Sequence, residues 1–533
     1  MKSFKFEMKV IAAAVALCGA GPSAYALDPA VTPINCAGAT ACIFMSGSSA
    51  LDNVLANTIA RGVAAGGAVN GTCDQWLDGK LGSTTQTTEL IYCSLSAGNF
   101  FGGNLGAGKT ALAVWKFSAG GSANGVTPVY TSTALNFQLT YTACAAPAAK
   151  CATVLDEAYT SHTCTPSGGV TATVPYIGFS DEEPRVFGFG TSAPAGFRFD
   201  AFNQVVFGIA ASKYGRDSLQ KAQLCNPGTE GNLPVGCTVG DDTDACQPSI
   251  SHAVVSGIMQ GKITRWDSMT NACGVGFSQT IPAAGGAANP SQTIFLARRS
   301  NGSGTQRVSN INFTSQGECT NVLNFAPTPL AGTASATPAS CLGAAQNPVS
   351  PTGAGRIFQM NSSEDLVECT DDFNTNNYGA VAILSTEYQP GVGGLPSGFR
   401  FLKLDGNAPS LANAAKGRYI YVSEPTMQSK DTTTNPYADP VVAPFRDALL
   451  TALGSTANAV ASNTCNNTGS PEPWWGGTLI PQTAASTPPA ANPITEAAVH
   501  GTPVSTQTKQ GNTTGKPSNC YPTTGFPTGL YAN

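Results

Sequence analysis

Charge is what this chain has least of. Lys, Arg, Asp and Glu supply 11% of its 533 residues, with a formal net charge of −5, against about a quarter in an average globular protein. No block of basic residues occurs, which argues against a nucleic-acid partner. Histidine is nearly absent: His162, His252 and His500 are scattered singly, so a His-rich metal site or a His-based triad has little to draw on. The cysteines lack the C-x-x-C spacing of zinc sites. Beyond the N-terminus, no run is long and apolar enough to cross a bilayer.

What the chain has in quantity is glycine, 59 residues, and cysteine, 17 residues. It opens with Lys2, Lys5 and Lys9, then VIAAAVALCGAG, then the small-x-small site Ala24-Tyr25-Ala26. This reads as a secretory signal over 1–26, cut before Leu27, and places the mature protein in the periplasm or outside the cell. Without Cys18 the cysteine number is even, as expected for an oxidising compartment. The short separations Cys36/Cys42, Cys73/Cys93, Cys144/Cys151/Cys164, Cys225/Cys237/Cys246 and Cys319/Cys341 suggest staples that close local loops. GNLGAGKT, 103–110, matches the phosphate-loop pattern letter for letter. Its flanks argue against a nucleotide site: AGNFFGG before it is loop-like, and ALAVWKF after it reads as a strand where the motif needs a helix.

Short apolar strands alternate with helices, which predicts an α/β fold with at least one mostly parallel sheet. Strands are expected in ACIFM, ALAVWKF, VPYIGF, NQVVFGIAAS, TIFLARR and YGAVAILS, with a Ser-capped helix at the start of 46–63 and a helix near 440–454. Residues 64–110 read as an inserted, disulfide-tied loop region. The rhythm fades after about 424, and a Pro/Thr/Asn-rich tail runs from 481 to 533.

Three Ser/Gly loops each follow an apolar strand: SGSSA, SAGGSANG and RSNGSGT. A helix N-terminus offers unpaired N–H groups and partial positive charge, small residues let an anion approach, and hydroxyls add donors. Arg299 in the third loop is a matching countercharge. A Ser/Gly loop is also an ordinary strand–helix connector; the Arg, the lone acidic loop GFSDEEP and the repetition favour an anion site.

Taken in order, these segments resemble the periplasmic phosphate-binding proteins of bacterial phosphate ABC transporters. ARRSNGSGT is similar to that family's Arg-x-Asp-Gly-Ser-Gly-Thr loop, GFSDEEP to its Ala-Ser-Asp segment and FSAGGS to its Ser-x-Gly-Gly loop. SGSSAL stands at its first Gly-rich loop, GKITRWD at its Gly-Lys-Ile-x-x-Trp turn and LANAAKG at a late helix. The resemblance implies a two-lobed, type II periplasmic-binding-protein fold with disulfide-rich insertions. Lobe one would comprise 27–202 and 388–480, lobe two 203–387, with 203–212 and 378–387 as the crossing strands. It implies inorganic phosphate as ligand, a membrane permease as partner, no cofactor and no enzymatic activity. The implied phosphate ligands are Ser49, the Ala50 N–H, Ser118, Asp181, Arg299, Ser303, the Gly304 N–H and Thr305. When ionised, Asp181 can only accept, so it would require a proton on the ligand, which phosphate carries and sulfate does not. Asp181 has an alternative role as a cap for a helix opening at Glu182. Asn301 departs from the family's Asp beside the Arg and leaves the orientation of Arg299 open. A secreted phosphatase-like hydrolase on the same scaffold, or an extracellular structural or adhesive protein with a vestigial cleft, are the competing readings.

Overall fold

The computed structural model describes residues 34–480, apart from 66–72, 79–87, 97–98, 145–147, 151–158, 190–192, 275–292, 315–356, 392–396, 467–478 and some single positions. The signal region, the tail from 481, Cys151, Cys319, Cys341 and Cys520 lie outside the described residues.

Two mixed sheets organise the chain. The nine-stranded first sheet is built around Thr40–Gly47, an apolar strand that pairs in parallel with both Ala111–Phe117 and Ile177–Ser180. Thr426–Lys430 and then Phe197–Ala201 extend one side; Thr88–Ser94, Cys73–Leu77, Tyr159–Thr163 and Ala148–Lys150 extend the other. The eight-stranded second sheet centres on Gln204–Ser212 and Ala380–Ser385, with Phe295–Arg299 and Ile357–Met360 parallel beyond the latter. Every residue of Ala111–Phe117, Gln204–Ser212, Phe295–Arg299 and Ala380–Ser385 is buried. That burial explains why these strands read as continuous apolar runs rather than alternating ones.

The strand and helix expectations hold for most segments, with four corrections. The sheets are mixed rather than mostly parallel, because antiparallel partners flank the parallel pairs in both. The segment 64–110 is not only a loop region: Cys73–Leu77 and Thr88–Ser94 are antiparallel strands of the first sheet, and the Cys73–Cys93 disulfide joins register partners. The region after 424 keeps its order, with Thr426–Lys430 in the first sheet and Val442–Leu453 and Thr456–Asn466 helical.

The fourth correction concerns the crossings. Gln204–Ser212 does follow the first sheet directly, two residues after Phe197–Ala201. Asn203 makes the bend at φ +40°, a left-handed conformation that Asn tolerates. The expected return at 378–387 is instead an interior strand of the second sheet, and Phe399–Leu404 also pairs there. The chain returns at Val422–Ser423, which pairs with Gln204–Ser212, and then enters the first sheet as Thr426–Lys430. The polar content of Thr426–Lys430 hides that strand in the sequence.

Disulfides bind Cys36–Cys42, Cys73–Cys93, Cys144–Cys164, Cys225–Cys273 and Cys237–Cys246. Cys225 therefore reaches past its near neighbours to Cys273, while Cys36–Cys42, Cys73–Cys93, Cys144–Cys164 and Cys237–Cys246 close local loops as expected. No helix among the described residues is long and apolar enough to cross a membrane. The phosphate-loop match resolves as the sequence suggests: its first two residues, Gly103–Asn104, pair in a small ladder with Asn99–Phe100, and the strand Ala111–Phe117 follows. Lys109 donates to the carbonyls of Gly38 and Thr40.

Candidate functional site

The three Ser/Gly loops converge at the ends of their strands. The first leaves Thr40–Gly47 through Gly47, whose φ is +121° and whose Cβ, if present, would lie 2.0 Å from the Phe179 carbonyl oxygen. Only glycine lets the chain turn so close to the neighbouring strand. Ser48 then caps a short turn that runs into the helix Asp52–Ala65. The second loop, after Ala111–Phe117, and the third, after Phe295–Arg299, touch directly: the Ala123 N–H donates to the Gly302 carbonyl at 2.9 Å. Helices open from both, Ser122–Thr131 and Gly304–Phe313, the latter capped by the Ser303 hydroxyl.

Arg299 is 2% exposed. Its guanidinium donates to Ser49 Oγ at 3.5 Å and to Ser363 Oγ at 2.5 Å. Burial pushes its pKa down, while Tyr388, Glu364, Asp181 and Asp365 favour the charged form. Asp181, equally buried, accepts from the Ser48 hydroxyl, and its own N–H donates to Ser122 Oγ at 3.0 Å. Burial raises its carboxyl to about 6, with Ser48, Arg299, Ser122 and Lys116 opposing the shift. Its carboxylate stands against the helix that opens at Gly304: a Cβ on Gly304 would lie 2.4 Å from Asp181 Oδ2 and 2.1 Å from Ser122 Oγ. The site thus holds a fixed cation, a fixed acceptor and a helix N-terminus side by side.

The sequence-predicted residues divide accordingly. Ser49 and Arg299 meet, and Asp181 and Gly304 meet. The Ala50 N–H is occupied locally, donating to Ser48 Oγ at 3.1 Å. The Ser118 hydroxyl donates to Asp52 Oδ1 at 3.0 Å and accepts from Lys116 Nζ at 2.7 Å. Ser303 serves as N-cap, accepting from the Gln306 N–H, and Thr305 is buried in the first turn behind it. Asp181 does not cap a helix at Glu182, since its carboxylate turns to Ser48 and the following turn, Pro184–Phe187, starts later. Asn301 is exposed and offers its carbonyl to Arg307 Nε at 2.9 Å. The position beside Arg299 is filled by Ser363 instead.

Sequence reasoning missed Ser48, Ser122, Lys116 with Asp52, and the acidic wall behind Arg299. That wall is formed by Glu364, Glu387 and Tyr388, whose hydroxyl donates to the Ser49 carbonyl at 3.3 Å. Burial lifts Glu364 to about 8, Asp52 adds to the shift, and Arg299 opposes it. Burial also raises Glu387 well above the usual range, with Asp52 and Glu364 adding to it. A lysine inside ALAVWKF and the Ser-Ser-Glu-Asp opening of the helix Ser363–Thr375 were the available signals. The two described histidines lie elsewhere: His162 meets Asp74 at 3.3 Å, and His252 meets the Asn312 carbonyl at 2.7 Å.

Compared with protein-family models and with curated proteins, the sequence matches none. Among solved structures it is similar to a phosphate ABC transporter substrate-binding protein with bound phosphate from Clostridium perfringens, at 10% identity and TM-score 0.38, covering 80% of this chain and 97% of that one. It is also similar to an ABC-type phosphate transport receptor from Vibrio cholerae, at 14% identity and TM-score 0.27, covering 53% and 79%. A third is a phosphate-binding protein from Stenotrophomonas maltophilia, at 13% identity and TM-score 0.30, covering 57% and 78%. At such scores the likeness adds nothing to the chemistry of the site, which rests on the residues themselves.

Proposed function

We propose that this protein is an exported receptor for inorganic phosphate, binding the anion without turnover between the two sheets and delivering it to a membrane permease. The observation that carries the reading is the pairing of buried Arg299, held by the Ser49 and Ser363 hydroxyls, with buried Asp181 at the N-terminus of Gly304–Phe313. A guanidinium bonds two anion oxygens at once. The hydroxyls of Ser49, Ser118, Ser303 and Thr305 and the first-turn N–H groups of Ala50 and Gly304 supply neutral donors. Those already engaged locally, Ala50 and Ser118, exchange an internal partner for the ligand. Asp181 supplies an acceptor, and an acceptor is satisfied only by an anion that carries a proton.

The strand connections at 201–204 and 423–426 are the places where one sheet can turn against the other. Equilibrium dialysis with radiolabelled phosphate, on wild type and Arg299→Ala, tests the proposal. The expected result is saturable binding by wild type, weakened at least about 30-fold in Arg299→Ala, and no release of phosphate from a phosphomonoester. Binding undiminished in Arg299→Ala, or phosphomonoester turnover that depends on Arg299, overturns it.

A further inference from the structure

Lys116 sits one residue from the end of a buried strand, is itself 1% exposed, and is not one of the loop residues that the phosphate reading uses. Its ammonium bonds four groups: an Asp52 carboxylate oxygen, Ser118 Oγ at 2.7 Å, the Ser48 carbonyl at 3.0 Å and the Gly47 carbonyl at 3.4 Å. Three of these lie on the first loop or the helix it opens, and the fourth on the second loop. Lysine is almost never fully buried unless paired, and a buried cation is costly unless its partners are fixed.

The partner matters as much as the lysine. Asp52 is buried in the first turn of its helix and acts electrostatically on Arg299, Glu364, Glu387 and Tyr388. Glu89, the register partner of Lys116 on the adjacent strand, faces the same pair. Asp181 feels Lys116 as well as Arg299. The titratable groups around Asp52 are therefore Lys116 and Arg299 on one side and Glu89, Glu364, Glu387 and Tyr388 on the other. Without Lys116, an anion at Arg299 would face an uncompensated carboxylate.

We propose that Lys116 is a positioning and charge-setting residue of the anion site: it cancels Asp52, so that Arg299 remains available to the ligand, and it draws the Gly47 and Ser48 carbonyls away from the anion. This rests on the phosphate reading above. Two consequences run in opposite directions. Burial already raises the Asp52 carboxyl against Lys116, so in Lys116→Met it is a bare carboxylate only once alkaline pH ionises it, and there phosphate affinity falls about tenfold or more. The loss shrinks as pH falls, because Asp52 then takes up a proton and ceases to repel the ligand. Asp52→Asn leaves the lysine charge unopposed, so phosphate binds more tightly than to wild type. The double variant Lys116→Met/Asp52→Asn returns to within a few-fold of wild type and loses the extra pH dependence.

Calorimetric titration with inorganic phosphate across pH, on wild type and the three variants, tests this, with circular dichroism to establish that each is folded. A merely structural lysine would give no gain in Asp52→Asn and no pH-dependent recovery in Lys116→Met. Equal affinities in wild type and Asp52→Asn overturn the inference even if Lys116→Met fails to fold. If wild type itself binds no phosphate, the functional reading fails first and the inference falls with it.

Discussion

The guanidinium of Arg299 donates to the hydroxyl of Ser363 at 2.5 Å, joining the end of one parallel strand to the helix that follows its neighbour. The resemblance to phosphate-binding proteins implies a carboxylate beside this arginine. Here a neutral hydroxyl holds it, and the carboxylates of Glu364 and Asp365 stand in the next positions.

Arg299→Ala is expected to cost about 2–5 kcal/mol of phosphate binding, the range for truncating one partner of a buried charge pair. Arg298→Ala is the control. Arg298 is buried in the same strand, but its guanidinium goes to Gln359 Oε1 at 3.3 Å, and burial lowers its pKa to about 10. Its loss should lower thermal stability and leave phosphate affinity unchanged. Parallel melting and titration curves separate the two effects.

Asn301→Asp is expected to leave phosphate affinity unchanged. The side chain at 301 is exposed, and it is the backbone carbonyl of Asn301 that accepts from Arg307, so a carboxylate there meets solvent and Arg307 before it meets Arg299. Ser363→Ala, by contrast, should weaken phosphate binding several-fold by removing a partner that aims the guanidinium. A titration in which Asn301→Asp changes affinity and Ser363→Ala does not would reverse this assignment.

Glu364 carries a pH signature. Its folded-state carboxyl is raised from 4.5 to about 8, so the unfolded chain releases that proton first. The folded state therefore holds more protons between those values, and stability falls as pH rises through that window. Each such proton contributes a slope of about 1.4 kcal/mol per pH unit. Glu364→Gln should flatten the decline in denaturant midpoint between mildly acidic and mildly alkaline pH by about one proton's share. Asp78 and Glu89, also raised to about 8, should keep the remaining slope. An unchanged slope in Glu364→Gln would mean that this carboxyl titrates normally.

Much of this was legible in the sequence, and the failures have physical causes. Gln204–Ser212 and Ala380–Ser385 announce themselves because strands buried on both faces are uninterrupted apolar runs. Thr426–Lys430 is equally a sheet strand, but TMQSK buries Thr426, Gln428 and Ser429 against other polar groups, so hydrophobicity does not mark it. Arg299, Asp181 and Gly304 were readable because their chemistry is local to short loops. Lys116–Asp52 spans 64 positions and Arg299–Ser49 spans 250, and no local pattern encodes such pairs. Cys225 misleads for the same reason: the nearer cysteines are closer in sequence, while Cys273 is the one that the fold brings to it.

The central claim is an anion site in which Arg299 attracts and Asp181 selects. Competition between phosphate and sulfate on wild type and Asp181→Asn, at pH values on either side of about 6, tests it most directly. Above that value, ionised Asp181 should exclude sulfate, so wild type prefers phosphate strongly and Asp181→Asn loses that preference. Below it, Asp181 carries a proton and can donate, so the wild-type preference should narrow toward that of the variant. Sulfate binding as tight as phosphate in wild type above that pH, or a phosphate-to-sulfate ratio that Asp181→Asn leaves untouched, would contradict the account.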